Sequence, residues 1–84
     1  MPYELAFTRN AGKNLAGLEK QTAIRVIEKL DSCKETPYHF LEKLVGTDYS
    51  KLRVGDYRAI VRIDEERKKI IVLRVGHRKN VYKK

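Results

Sequence analysis

Lys51, Arg53, Arg58, Arg62 and Arg74 are set among alternating apolar residues, and His77-Arg78 follows the last of these stretches directly. Planar guanidinium groups hold the nonbridging oxygens of a phosphodiester in two-point contacts and stabilise the added negative charge of a pentacoordinate phosphorus. Chemistry of that kind needs no metal when the substrate brings its own nucleophile, as RNA does in its 2′-hydroxyl, and it would leave a 2′,3′-cyclic phosphate. The protein must then orient the hydroxyl, stabilise the phosphorane and protonate the departing 5′ oxygen. Lys51 is one candidate base, because neighbouring cations disfavour the charged form of a lysine. His77 is another, because imidazole titrates near neutrality. The residues leave that choice open. Tyr82 suits stacking on a base or hydrogen bonding to a phosphate. His39 lies in a stretch with no clear period and reads as an ordinary surface residue.

These side chains act together only if strands hold them together. Val54-Gly55-Asp56-Tyr57 carries a glycine-containing two-residue turn between strand patterns, a strong hairpin signal. With Gly55 and Asp56 at the turn, Arg53 faces Arg58 and Lys51 faces Ile60. Alternation then puts Lys51, Arg53, Arg58 and Arg62 on one face and Leu52, Val54, Ala59, Val61 and Ile63 on the other. Arg74 joins the basic face, with Ile70 and Val72, if Ile71, Leu73 and Val75 point to the core. Gly76, directly after this strand, would let the backbone bend and swing His77 and Arg78 over the same face. Like charges directly opposite one another cost a few tenths to about 1 kcal/mol, so a purely solvating face would alternate signs. Here the acids gather at turns instead, as Asp56, Asp64, Glu65 and Glu66. The pairing therefore predicts an anion site.

The rest of the chain predicts the support for that face. Tyr3, Leu5 and Phe7 alternate as a short first strand. Thr8 reads as a helix N-cap, with Phe7, Ala11, Leu15 and Leu18 along one face and Gly17 at the end. Ala23, Val26, Ile27, Leu30 and Cys33 stripe a second helix from about Glu19 to Glu35, closed before Thr36-Pro37. Residues 38–48 have no clean period and are left unassigned. Strands from Tyr57 to Asp64 and from Lys69 to Val75 complete an α+β fold of order βααβββ, a helical hairpin packed on one face of a three-stranded antiparallel meander. With 84 residues this is one small domain, 1–84, with little room for a cofactor cavity beside the core.

Residues 1–50 hold seven Lys/Arg and seven Asp/Glu, whereas residues 51–84 hold twelve against four, which accounts for the net charge of +8. An imbalance of this kind attracts a polyanion. Cys33 is the only cysteine, so no internal disulfide and no cysteine-based metal site is expected, and neither is any cofactor. No apolar run approaches the length of a membrane span and no signal pattern opens the chain, so a cytoplasmic location is expected.

Lys51-Leu52-Arg53-Val54-Gly55-Asp56-Tyr57-Arg58, then Arg74-Val75-Gly76-His77-Arg78, then Val81-Tyr82 resemble the signature of the RelE/ParE toxin superfamily, RelE branch. The resemblance spans nearly the whole chain. It implies the toxin of a type II toxin–antitoxin module, an endoribonuclease that enters the ribosomal A site, cuts the mRNA codon, and is blocked by a RelB-like antitoxin. Carried over by position, it implies that Lys51 is a catalytic lysine and Arg53 a phosphate-binding arginine. Arg58 would stabilise the transition state, Arg78 would serve leaving-group protonation, and Tyr82 would orient or stack the substrate. His77 occupies a motif position that is often basic, and Tyr49 stands where the best-known RelE pattern has a second lysine. Two alternatives share the composition: a ParE-like inhibitor of DNA gyrase without nuclease activity, and a non-catalytic RNA- or ribosome-binding module.

Overall fold

The computed structural model describes residues 2–82. In chain order the elements are β1 (Glu4–Phe7), α1 (Arg9–Ala16), α2 (Lys20–Ser32), α3 (Pro37–Phe40), β2 (Glu42–Lys43), β3 (Tyr49–Val54), β4 (Tyr57–Asp64) and β5 (Lys69–His77). The strands form one sheet of order β1-β5-β4-β3-β2. β1 runs parallel to β5 and every other pair is antiparallel. The α+β order expected from the sequence is present, and the unassigned segment supplies two small additions, α3 and the edge strand β2. Pro37 opens α3, where its missing N–H costs nothing.

Thr8 caps α1 as expected, its Oγ1 accepting from the Ala11 N–H at 3.1 Å, and Gly17 closes the helix. Phe7 departs from the expected helical stripe: it is the last residue of β1 and 42% exposed. In α2, Val26, Leu30 and the capping Cys33 are buried, whereas Ile27 is 43% exposed. These residues join Ala11, Leu52, Ala59, Val61, Ile70, Val72 and Val75 in the core, so both helices cover one face of the sheet. Burial pushes the Cys33 thiol up from its ordinary value.

The β3–β4 hairpin has the expected register, Arg53 opposite Arg58 and Lys51 opposite Ile60. Gly55 has φ 58° at the first central position of the turn, the conformation a II′ hairpin requires. β5 does not keep simple alternation. Ile60 pairs with Arg74 but Val61 pairs with Val72, so Leu73 is the extra residue of a β-bulge. The bulge corrects the expected facing of this strand. Ile70 and Val72 are fully buried in the core rather than on the basic face, and Val75 is buried with them.

β1 ends at Phe7, and α1 takes over along the second half of β5. Thr8 Oγ1 donates to the Leu73 carbonyl at 2.9 Å, and Asn14 Oδ1 accepts from the Val75 N–H at 3.0 Å. Two side chains thus satisfy backbone groups that a neighbouring strand would otherwise pair. At the opposite end of the sheet Glu65 accepts from the Tyr3 hydroxyl at 2.8 Å, from Lys68 Nζ at 2.9 Å and from the Tyr38 hydroxyl. The bonds from Lys68 and then Tyr3 hold its carboxyl below the ordinary 4.5.

Two predictions follow from these contacts. Asn14→Ala strands the Val75 N–H and lowers unfolding free energy by about 1–3 kcal/mol in a denaturant titration; an unchanged midpoint would show that another group pairs with that amide. Because the folded Glu65 carboxyl titrates lower than the unfolded one, its contribution is complete above pH 4.5 and is lost as pH falls through the folded value. Glu65→Gln should therefore flatten the acid limb of stability against pH, and an identical limb would remove Glu65 from it.

Candidate functional site

Strand register lays out the face away from the helices in rows. The first row is Arg53–Arg58–Gly76, the second Glu42–Lys51–Ile60–Arg74, and the third Tyr49–Arg62–Ile71. Lys51, Arg53, Arg58, Arg62 and Arg74 therefore share the outer face. The direct cross-strand neighbours of Lys51 are Glu42 and Ile60, with arginines on the diagonal or one strand further on.

The turn gathers the arginines at one end. Arg58 Nη1 donates to the carbonyls of Gly55 at 2.9 Å and Tyr57 at 2.8 Å, which fixes its guanidinium beside the turn. The Arg78 N–H donates to the Asp56 carbonyl at 2.8 Å, and Arg78 Nε lies 3.7 Å from the Asp56 carboxylate. Arg53, Arg58 and Arg78 thus meet at the tip of the β3–β4 hairpin, the first two by register and the third by attachment to the turn. Asp56 occupies the turn as expected, and its attachment to Arg78 is an addition that the turn signal alone does not disclose.

β5 runs on through Gly76 and His77, so the expected bend at the glycine is absent. His77 pairs with Tyr57, one residue beyond the Arg58–Gly76 pair, and therefore faces the helix side. Its ring meets Tyr57 edge-on at 5.5 Å between centroids, and its Nδ1 accepts from the Lys79 N–H at 3.2 Å. A neutral ring then carries its proton on Nε2. The fold separates His77 from Lys51 by a full sheet thickness.

Past β5 the chain turns back over the outer face. The Asn80 and Val81 N–H groups donate to the His77 carbonyl at 2.8 and 2.9 Å, and Arg74 Nη1 donates to the Val81 carbonyl at 3.1 Å. Val81 is only 4% exposed, and a Cβ added at Gly76 would lie 3.5 Å from Val81 Cβ. The strand does not bend at the glycine, and a Cβ there would sit in ordinary contact with Val81, so only a larger side chain would crowd the turn. Arg74, expected as a phosphate ligand, is engaged in holding this turn.

The turn brings Tyr82 to the rim of a cleft of about 520 Å³ lined by Leu44, Thr47, Tyr49, Ile60, Leu73, Arg74 and Val81. Ile60 is 6% exposed, so the middle of the outer face is apolar and its positive charge lies around that centre. Leu73 reaches the cleft only because of the bulge, which alternation does not disclose. Among the described residues no group of three or more His, Cys, Asp or Glu side chains is placed to hold a metal ion, and no helix is long and apolar enough to cross a membrane.

A sheet covered by helices on one face, with a basic open face closed by a C-terminal turn, is an architecture shared with toxins solved in toxin–antitoxin complexes. Residues 5–82 match the family model described as the ParE toxin of the type II toxin–antitoxin system parDE. Toxin RelG of Mycobacterium tuberculosis is 32% identical over 89 residues, covering 100% of both chains. The toxin–antitoxin complex RelBE2 of the same organism contains a chain that superposes with a TM-score of 0.86 at 29% identity, covering 92% of this chain and 99% of that one. The archaeal RelE–RelB complex from Pyrococcus horikoshii gives a TM-score of 0.78 at 30% identity, covering 96% and 100%. The chain belongs to the RelE/ParE toxin superfamily.

A Cβ at position 76 already reaches contact with Val81, so the γ-methyls of Gly76→Val have no space and lift that turn. Hydrogen exchange at the Asn80 and Val81 amides should then accelerate while exchange at Ala59 and Val61 in β4 stays slow; unchanged exchange at Val81 would contradict this crowding.

Proposed function

We propose that this toxin is a metal-independent endoribonuclease that cleaves mRNA in the ribosomal A site and so arrests translation. The observation that carries the reading is the meeting of Arg53, Arg58 and Arg78 at one hairpin tip with Lys51 on the same face. Two opposed arginines raise the energy of an empty face, and a bound phosphodiester reverses the sign of that interaction.

In this mechanism Lys51, in its neutral form, accepts the 2′-hydroxyl proton. The 2′ oxygen attacks phosphorus, the new O–P bond forms, and the bond to the 5′ oxygen breaks to leave a 2′,3′-cyclic phosphate. Arg53 and Arg58 hold the nonbridging oxygens while charge builds on them. Arg78 leaves the exposed Asp56 carboxylate and gives a proton to the departing 5′ oxygen, the step the resemblance assigns to the matching arginine, and the proton taken by Lys51 returns to Arg78 through solvent. Tyr82, at the rim of the apolar cleft, orients or stacks a base. Arg62 contributes phosphate attraction from the third row. His77 supports the turn from the other face, and its position favours Lys51 as the base. The natural inhibitor is a RelB-like antitoxin, since related toxins have been solved in complexes with RelB. The working location is the cytoplasm, where the ribosomes are.

Arg58→Ala and Arg78→Ala each remove one donor from the developing charge, a loss of about 10²–10³ in rate. Each should relieve growth arrest on induction while antitoxin still captures the folded variant. Full toxicity in both would contradict the roles. DNA breaks with intact transcripts would establish gyrase inhibition in place of the nuclease.

A further inference from the structure

A second recess lies across β5 from the arginines, between α1 and the C-terminal turn. It has a volume of about 330 Å³ and is lined by Asn10, Asn14, Asn80, Arg74, Val75, Gly76 and Val81. Asn10 and Asn14 are four apart on α1, hence on one helix stripe, and Asn80 approaches from the C-terminal turn. Asn14 Oδ1 is occupied by the Val75 N–H, which fixes the orientation of its amide. The mechanism proposed above uses none of the three asparagines.

The lining chemistry limits the ligand. A phosphate site would gather cations, but Arg74 is the one charged group here and it already donates to the Val81 carbonyl. An apolar peptide would need large hydrophobic walls, and the apolar members are two valines. Carboxamides both donate and accept, which matches the alternating donors and acceptors along a nucleobase edge. Gly76, in the wall of the recess, pairs with Arg58, one strand spacing of about 4.8 Å away. A nucleotide whose phosphate meets Arg58 has its base within reach of these amides.

We propose that the Asn10–Asn14–Asn80 recess is a base-reading pocket, which selects one nucleotide of the substrate by hydrogen bonds to its base edge. The choice of RNA as ligand rests on the nuclease reading; the pocket itself is tested without ribosomes. The four nucleoside 5′-monophosphates and ribose 5-phosphate are titrated separately into the isotopically labelled protein, and the side-chain amide signals of the asparagines are followed by NMR. One or two nucleotides should shift the Asn10, Asn14 and Asn80 signals, and ribose 5-phosphate should leave them unmoved. The Asn10→Ala/Asn80→Ala double variant changes two exposed side chains and spares the Asn14 contact, so it should fold as the parent does. It should lose about tenfold or more in affinity for the preferred nucleotide. Equal shifts from all ligands, shifts confined to β3 and β4, or no shifts at all would overturn the pocket. Shifts as described from a protein that leaves programmed ribosomes uncut would overturn the nuclease reading and keep the pocket.

Discussion

The single extra residue in β5 governs what both faces of this sheet can do. β5 pairs in parallel with β1, antiparallel with β4, and supplies Ile70, Val72 and Val75 to the core. Strict alternation would send Arg74 and Val72 to the same face. With Leu73 inserted, Val72 and Val75 are both buried and Arg74 faces outward beside Ile60. On the other edge of β5, beyond the end of β1, the side chains of Thr8 and Asn14 take up the Leu73 carbonyl and the Val75 N–H. The outward Arg74, and the hydrogen bond by which it holds the C-terminal turn, depend on the bulged Leu73.

Charge is arranged with the same economy. Arg53 and Arg58 stand side by side in register, Arg58 is tied to turn carbonyls, and Arg78 is tied to Asp56. Each tie is a polar contact at the surface, weak enough to be exchanged for a phosphate oxygen. The carbonyls of Gly55, Tyr57 and Asp56 lie where the guanidinium groups need partners in the empty protein. The apolar cleft with Tyr82 at its rim begins at Ile60, directly across from Lys51, so charge and a stacking surface lie side by side on this face.

Much of this was legible in the residues. Gly55-Asp56 specified a turn, the turn set the register, and the register alone put two arginines opposite each other as found. β4 matched its expected bounds, and Thr8 capped α1, because hairpin and cap signals are local. What escaped were consequences of tertiary contact. Val72 and Leu73 carry no mark of a bulge, since either facing satisfies a run of β-branched residues. Gly76 permits a bend, but pairing with β4 carries the strand straight through it to His77. His77 was drawn to the basic face by that supposed bend, and continuation of the strand sends it to Tyr57. α3 and β2 lacked any period because each is too short to show one.

If the arginines at the hairpin tip cut RNA, mapping of 5′ ends reveals the product. Purified protein is added to ribosomes stalled on a defined mRNA with an empty A site, beside the Arg78→Ala variant and a control without ribosomes. A new end is expected inside the A-site codon, with a 2′,3′-cyclic phosphate on the upstream fragment, absent without ribosomes and lost in the variant. An intact message with folded wild-type protein, or the same cut by both proteins, would contradict it.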